Sequence, residues 1–149
     1  MGRIMLIGAV GSGKSSLIKA LADSPGQVAK TQSLIYYDGL IDTPGEYMEN
    51  PLFYRSLMAT SHQASAVLLV QDATRDRNGF PPGFAGGFPI PAIGAVTKTD
   101  HPSANADRAV ALLRQALPQG EIALTSAHSS IGIERLRALL EQFARPQNK

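Results

Sequence analysis

The sequence predicts an α/β domain, a mostly parallel sheet of five to six strands with helices on both faces, three layers in all. Three observations carry this expectation. Short apolar runs recur at positions 4–7, 34–41, 66–70, 92–96 and 122–124. Each is bounded by Gly, Pro, Asp or Ser, the habit of strands buried on both faces. Segments with helical spacing separate them, and strand alternating with helix implies right-handed crossovers. A glycine-rich stretch directly follows the first run, at the carboxyl edge where ligands bind in such sheets.

Taken in order, Leu17 and Leu21 mark a helix after the first strand, ending near Ser24-Pro25-Gly26. The run 34–41 reads as one strand, and the short spacing from Thr31 to Asp42 leaves no hairpin partner of useful length. Asn50-Pro51 suits an N-cap and first residue of a helix. Over 107–117, Val110, Leu113 and Leu117 share a face, and Pro118 stops the helix. The last helix turns Ile133, Leu136, Leu140 and Phe143 inward and Glu134, Arg137 and Glu141 outward, with Ser130 as its N-cap. The segment FPPGFAGGFPIP at 80–91 must be a loop. Its Phe80, Phe84 and Phe88 suit either a docking surface for a partner protein or a cover for this chain's own sheet edge.

At 149 residues and 44% hydrophobic, the chain supports one core, so 1–144 reads as a single domain and 145–149 as a frayed tail. Fourteen Lys and Arg against twelve Asp and Glu are scattered without a run, which argues against a nucleic-acid partner. No cysteine is present, so there is no disulfide framework, thiolate metal site or cysteine nucleophile. The apolar opening MGRIMLIGAV breaks off at Gly11, too short to cross a membrane and without a cleavage pattern. The expectation is a soluble, cytoplasmic protein with no membrane partner. His62, His101 and His128 are not spaced as a metal site and read as surface or loop residues.

The chemistry starts at Gly8-Ala9-Val10-Gly11-Ser12-Gly13-Lys14-Ser15, a complete G-x-x-x-x-G-K-[ST] between a strand and a helix. Glycines let the backbone wrap round phosphates, and N–H groups at the helix start, through Ser16, point at them with the positive helix end behind. Lys14 would reach the β- and γ-phosphates, and Ser15 would ligate Mg2+. Asp42-Thr43-Pro44-Gly45 closes the second run, which puts the Asp42 carboxylate at a strand end where it can hold the magnesium shell, and Gly45 is free to approach a γ-phosphate. The same residues also suit an ordinary type I turn. Thr31 is a candidate second hydroxyl for the metal, although a plain loop threonine would look the same. Tyr47 and Arg75 are candidates for the neighbourhood of the phosphate chemistry, with nothing that obliges them to be there.

Further along, Thr97-Lys98-Thr99-Asp100 follows one strand and Thr125-Ser126-Ala127 follows the next. In this order the phosphate loop, Thr31, DTPG, TKTD and SA resemble the five motifs of Ras-like GTPases, which implies GTP and GDP as ligands. The resemblance implies that Asp100 accepts from guanine N1–H and the 2-amino group. It also places Lys98 along the base and has the Ala127 N–H, after Ser126, donate to the guanine carbonyl. Adenine would leave Asp100 facing an acceptor, a mismatch that discriminates by about 10⁴. Thr97 stands where Asn is commoner, Glu46 where Ras-like enzymes place a water-orienting glutamine, and Val10 where a glycine leaves room for an incoming arginine.

The segments Lys30-Thr31-Gln32, DTPGEY, FPPGFA and TKTD together resemble the ethanolamine- and propanediol-utilisation P-loop family, EutP and PduV, over roughly residues 1 to 143. That family implies a link to bacterial microcompartments, with shell or cargo proteins as partners, and an ATP-dependent acetate kinase activity that sits poorly with a guanine reader. Three functions therefore stand open: a slow GTP-hydrolysing switch with Lys14, Gly45 and Glu46 at the γ-phosphate, a kinase moving phosphate from ATP to acetate, and a non-catalytic nucleotide-gated adaptor.

Overall fold

All four residues of β1 (Ile4–Ile7) are apolar and at most 1% exposed, so the strand is covered on both faces. The computed structural model describes residues 3–21, 29–31, 34–37, 39–48 and 50–144. The expected helix end at 24–26 and the tail at 145–149 lie outside them. Around β1 the sheet runs β2-β3-β4-β1-β5-β6-β7, with β2 (Ala29–Thr31), β3 (Leu34–Tyr37), β4 (Leu40–Asp42), β5 (Ala66–Asp72), β6 (Ala92–Thr97) and β7 (Ile122–Leu124). The five strands from β4 to β7 in this order are mutually parallel.

Period-two alternation splits the apolar residues between two cores. Ile4, Leu6, Leu68 and Val70 meet Leu17 and Ile18 of α1 (Lys14–Leu21) and Leu136 and Leu140 of α4 (Ile133–Ala144). Met5, Ile7, Val67 and Leu69 face Leu57 of α2 (Tyr54–Ser61) and Leu113 of α3 (Ala106–Ala116). Three layers result, as expected. Asn50 accepts from Leu52 N at 3.0 Å and caps a short 3-10 helix, Pro51–Phe53, that leads into α2. Asn105 caps α3 by accepting from Arg108 N at 3.0 Å.

Four local expectations need correction or completion. The run 34–41 is two strands, because Gly39 takes a φ of 76° and folds β4 back antiparallel to β3. β2 then pairs antiparallel with β3, so the hairpin partner thought too short is present and the sheet has seven strands. The pair Asp38-Gly39, which interrupts the run LIYYDGLI, is a strong hairpin signal. Ser130 is not the N-cap of α4: it sits at φ 59°, outside the extended region a side-chain cap needs. Gly132 takes the place before the first helical residue instead, its carbonyl accepting from Leu136 N at 3.0 Å.

Arg137, expected to face outward, is half-buried and donates to Ala20 O at 3.0 Å and Leu21 O at 3.1 Å. It thereby satisfies carbonyls at the C-terminus of α1, where a cation is also favoured by the helix dipole. The phenylalanine loop covers this chain's own core. Phe80 and Phe88 are buried, and Phe84 packs edge-on to Tyr54 and Phe88 at 5.8 and 5.2 Å. Gly83 N donates to Gln115 O at 2.8 Å and ties the loop to α3. The rings therefore do not supply the exposed apolar surface that a docking role would use.

Two glycines with φ of 71° separate backbone strain from steric collision. A Cβ on Gly132 would lie 2.0 Å from Leu124 O, whereas one on Gly83 would meet nothing within 4 Å. In urea unfolding, Gly132→Ala is expected to lose about 3 kcal/mol or more. Gly83→Ala is expected to lose about 1 kcal/mol, and equal losses would contradict this assignment.

Candidate nucleotide-binding site

The loop between β1 and α1 is held by side chains distant in sequence. Arg75 Nη2 donates to Val10 O at 2.7 Å, Lys98 Nζ to Gly11 O at 2.8 Å, and Thr97 Oγ1 to Ser12 O at 2.5 Å. Carbonyl and N–H point oppositely across a trans peptide, and no described peptide is cis. Holding the Val10 and Ser12 carbonyls outward therefore turns the Gly11 and Gly13 N–H groups the other way. Ser12 N–H is used within the loop, donating to Ala9 O at 3.0 Å. Gly11 and Gly13 take φ of 79° and 89°, conformations that glycine alone adopts without strain.

The loop borders an open cavity of about 850 Å³, within the size of ordinary ligand sites. Ala9, Val10, Gly11, Ser12, Gly13, Lys14, Ser15 and Ser16 all line it, as do Asp42, Gly45 and Glu46. Gly8 stands behind the loop, where a Cβ would come within 2.7 Å of Ser12 Oγ. That hydroxyl is buried and has no hydrogen-bond partner. Lys14 is buried, ion-paired with Asp42, and donates to Thr43 O at 2.7 Å. The candidate phosphate cation and the candidate metal carboxylate are thus in direct contact. Thr43 Oγ1 donates to Leu6 O at 2.7 Å and anchors the strand end that presents Asp42.

Gly45 opens a 3-10 helix, Gly45–Met48, and a Cβ there would sit 2.7 Å from Val10 N. Only glycine permits this contact between the DTPG segment and the loop apex. Glu46 is exposed at the cavity wall, and Tyr47 stacks on Phe53 with centroids 4.7 Å apart. Thr31 ends β2, two strands beyond β4, and its side chain lies outside the described residues.

For magnesium, the described donors lining the cavity include the Ser15 hydroxyl and the Asp42 carboxylate. Hard oxygen donors suit Mg2+, which keeps several waters and takes phosphate oxygens as further ligands, so this small donor set fits that ion in company with a nucleotide. Among the described residues there is no group of three or more His, Cys, Asp or Glu that could hold a metal unaided.

A second cavity of about 460 Å³ is lined by Thr97, Lys98, Asp100, Ser126 and Ala127, together with His128 and residues of α1. It shares Gly13, Ser16 and Lys98 with the first, so the two cavities are contiguous. Every residue expected to read the base is brought here. Asp100 is exposed, and its Oδ2 accepts from Ser129 Oγ at 3.0 Å. Hydrogen bonds from Ser126 and Ser129, with a smaller pull from His128, hold its carboxyl below the ordinary carboxylate range. Thr97 is buried and spends its single hydroxyl hydrogen on Ser12 O, so toward the cavity it offers only an acceptor.

Sequence reading missed Asp72 and Ser129 and left Arg75 unassigned. Asp72 ends β5, is 3% exposed, and its Oδ2 takes Lys98 Nζ at 2.9 Å. Thr74 N and Oγ1 donate to its Oδ1 at 2.8 and 2.7 Å. Burial raises the Asp72 pKa, but hydrogen bonds from Thr74 and Lys98 outweigh it and leave the carboxyl below its ordinary value. Its signal was an Asp at the carboxyl end of a long apolar run. No helix among the described residues is long and apolar enough to cross a membrane.

Comparison with known proteins agrees with this geometry. Residues 1–142 match the family model described as ethanolamine utilisation and propanediol utilisation, PduV-EutP. The chain is 36% identical over 139 residues to the propanediol utilization protein PduV of Citrobacter freundii, covering 91% of each protein. It is 37% identical over 119 residues to the probable acetate kinase EutP of Salmonella typhimurium, covering 78% of this chain and 72% of that one. In fold it is similar to the G domain of the T. maritima FeoB iron transporter, with a TM-score of 0.64, 22% identity and coverage of 97% and 99%. A GDP-bound point mutant of the S. thermophilus FeoB G-domain gives 0.71 at 23% identity, covering 97% of this chain and 60% of that one. With the family model matched over residues 1–142 and a relative 36% identical over 91% of each protein, on a fold of G-domain type, the chain belongs to the PduV-EutP family of ethanolamine- and propanediol-utilisation proteins.

Proposed function

We propose that this protein is a magnesium-dependent guanine-nucleotide switch that hydrolyses GTP slowly and acts beside the microcompartment enzymes of ethanolamine or propanediol breakdown. The observation that carries the reading is the Asp100 carboxylate, held by Ser126 and Ser129 at a cavity continuous with the phosphate loop. A carboxylate fixed as an ionised acceptor pair complements the N1–H and 2-amino donors of guanine and opposes adenine, whose N1 carries a lone pair.

In the phosphate cavity Lys14 would neutralise the β- and γ-phosphates, while Ser15 and Asp42 would hold magnesium. Held by Ser15 and Asp42, the metal would supply positive charge to offset that developing on the phosphates. For Lys14 to serve both partners it must share or release Asp42, its present ion-pair partner. The Gly45 contact with Val10 is the element that a terminal phosphate would remodel, since the two backbones leave no space between them. Slow turnover follows from Glu46, an acidic residue that the γ-phosphate repels, and from the Val10 side chain at the loop apex, half-exposed where an arginine from another protein would enter.

Phosphate transfer to acetate, suggested by the name of the EutP relatives, would need a cation beside Glu46 to hold the carboxylate. Among the described residues lining this cavity the cations are Lys14 and Lys98, the first required by the phosphates and the second bonded to Asp72 and Gly11. The switch is therefore the better supported reading.

Titration with GDP, GTP, ADP and ATP in magnesium should show guanine preference, and Asp100→Asn should move it toward xanthine nucleotides. Tight ATP binding indifferent to Asp100 would refute the reading and favour the kinase. A lowered folded-state pKa keeps Asp100 ionised until pH falls through a value below the ordinary carboxylate one of about 3.9. The GDP-to-ADP affinity ratio should accordingly hold constant from about pH 7.5 to about pH 5, where ordinary carboxylates remain largely charged. A ratio that decays over this range would show that another group reads the base. In single-turnover assays Glu46→Gln, which removes that repulsion, should hydrolyse GTP at least as fast as wild type; a rate well below wild type would instead assign Glu46 as a base.

A further inference from the structure

Arg75 lies 65 residues from the phosphate loop, yet its guanidinium donates to Val10 O at 2.7 Å. The turn after β5 delivers it: Asp72 Oδ1 accepts from both Thr74 N and Thr74 Oγ1, and Arg75 N donates to Asp72 O at 3.3 Å. This doubles the chain back over the loop. A Cβ on Gly11 would lie 3.0 Å from Arg75 Nη2, so the glycine leaves room for the guanidinium as well as supplying its own positive φ.

The cation stands behind the loop and outside the phosphate cavity. Arg75 does not line that cavity; it borders a separate one of about 460 Å³, with Gln71 and Asn78. It therefore acts through the peptide it touches. Val10 C=O and Gly11 N–H belong to one planar trans unit and point oppositely, so a donor on the oxygen directs the N–H to the cavity that Gly11 lines. A charge-assisted bond to the oxygen also polarises the amide and strengthens its N–H as a donor. The contact between Gly45 and Val10 identifies this peptide with the end of the loop beside DTPG, where the terminal phosphate of a triphosphate would lie.

We propose that Arg75 is a positioning residue for the terminal phosphate, orienting and polarising the Val10–Gly11 peptide so that its N–H donates to the end of a nucleoside triphosphate. This rests on the phosphate-site half of the proposed function and is indifferent to the base. Asp72 adds a consequence: its Oδ2 lies 2.9 Å from Lys98 Nζ and 3.8 Å from Arg75 Nε. One buried carboxylate thus adjoins both the base-site lysine and the cation on the loop apex.

The test uses the full chain as wild type, Arg75→Ala and Arg75→Lys. Affinities are measured for GDP, ADP and the non-hydrolysable triphosphate analogues of both nucleosides in magnesium, with single-turnover hydrolysis alongside. Arg75→Ala should keep its diphosphate affinity while triphosphate affinity and hydrolysis fall about tenfold, less than the loss of about 10²-fold or more on deleting a donor outright. Arg75→Lys, which keeps a cation without the planar fork, should fall between the two, and it carries the test if the alanine variant loses its fold. Equal losses on di- and triphosphates, or no loss on either, would overturn the proposal, because a merely structural brace does not distinguish them. A wild type that prefers adenine would refute the guanine reading while the triphosphate-to-diphosphate ratio still judged Arg75. A wild type that binds no nucleotide would refute both.

Discussion

Three consecutive carbonyls of the phosphate loop, those of Val10, Gly11 and Ser12, are each tied by a side chain from another strand end. The site depends on this constraint. A glycine-rich loop left to itself has many conformations, and ordering them costs on the order of 1–2 kcal/mol per residue. Lys98 and Thr97 select one of them before any ligand arrives, and Arg75 aims the peptide at the apex. Binding then does not have to meet that cost, and the N–H groups are aimed in advance.

The donors reach the loop because the sheet is parallel. β1, β5 and β6 end at the same edge, so the segments after β5 and β6 emerge beside the loop after β1. Asp72 sits at the centre of this edge, almost wholly buried, a position that an unpaired carboxylate could not hold. Its partners Lys98 and Thr74 make the burial tolerable, and the ion pair in turn aims Lys98 at Gly11 O.

On the opposite flank the DTPG segment meets the loop by backbone contact. Thr43 anchors it to β1, Gly45 lies against Val10, and Tyr47 stacks on Phe53 just beyond. The phenylalanine loop, further out, spends its rings on the core under α2 and α3. These two segments differ in what they touch: one lines the candidate phosphate cavity, the other secures a face of the sheet.

Local chemistry written in short stretches was legible from the sequence. Gly8 to Ser15 announced a phosphate loop because each residue type has a function set by its neighbours in the chain, and the unbroken apolar runs of β1 and β5 announced a sheet covered on both faces. The strand order of TKTD and SA brought the candidate base-site residues to one cavity. Misreadings came where a turn or a partner overrode a local pattern. Gly39 broke an apolar run into a hairpin, Gly132 displaced Ser130 at the start of α4, and Arg137 turned inward to the open carbonyls of α1.

By itself, then, the sequence determined the fold class, the phosphate loop and the residue types at the base site, since these follow from periodicity and contiguous motifs. Only the tertiary structure decided what holds them. Arg75 on Val10, Asp72 on Lys98 and Ser129 on Asp100 join residues 65, 26 and 29 positions apart. No periodicity links such positions; they meet because parallel strands end at a common edge, and a directional hydrogen bond exists only once the fold has set the distance and the angle.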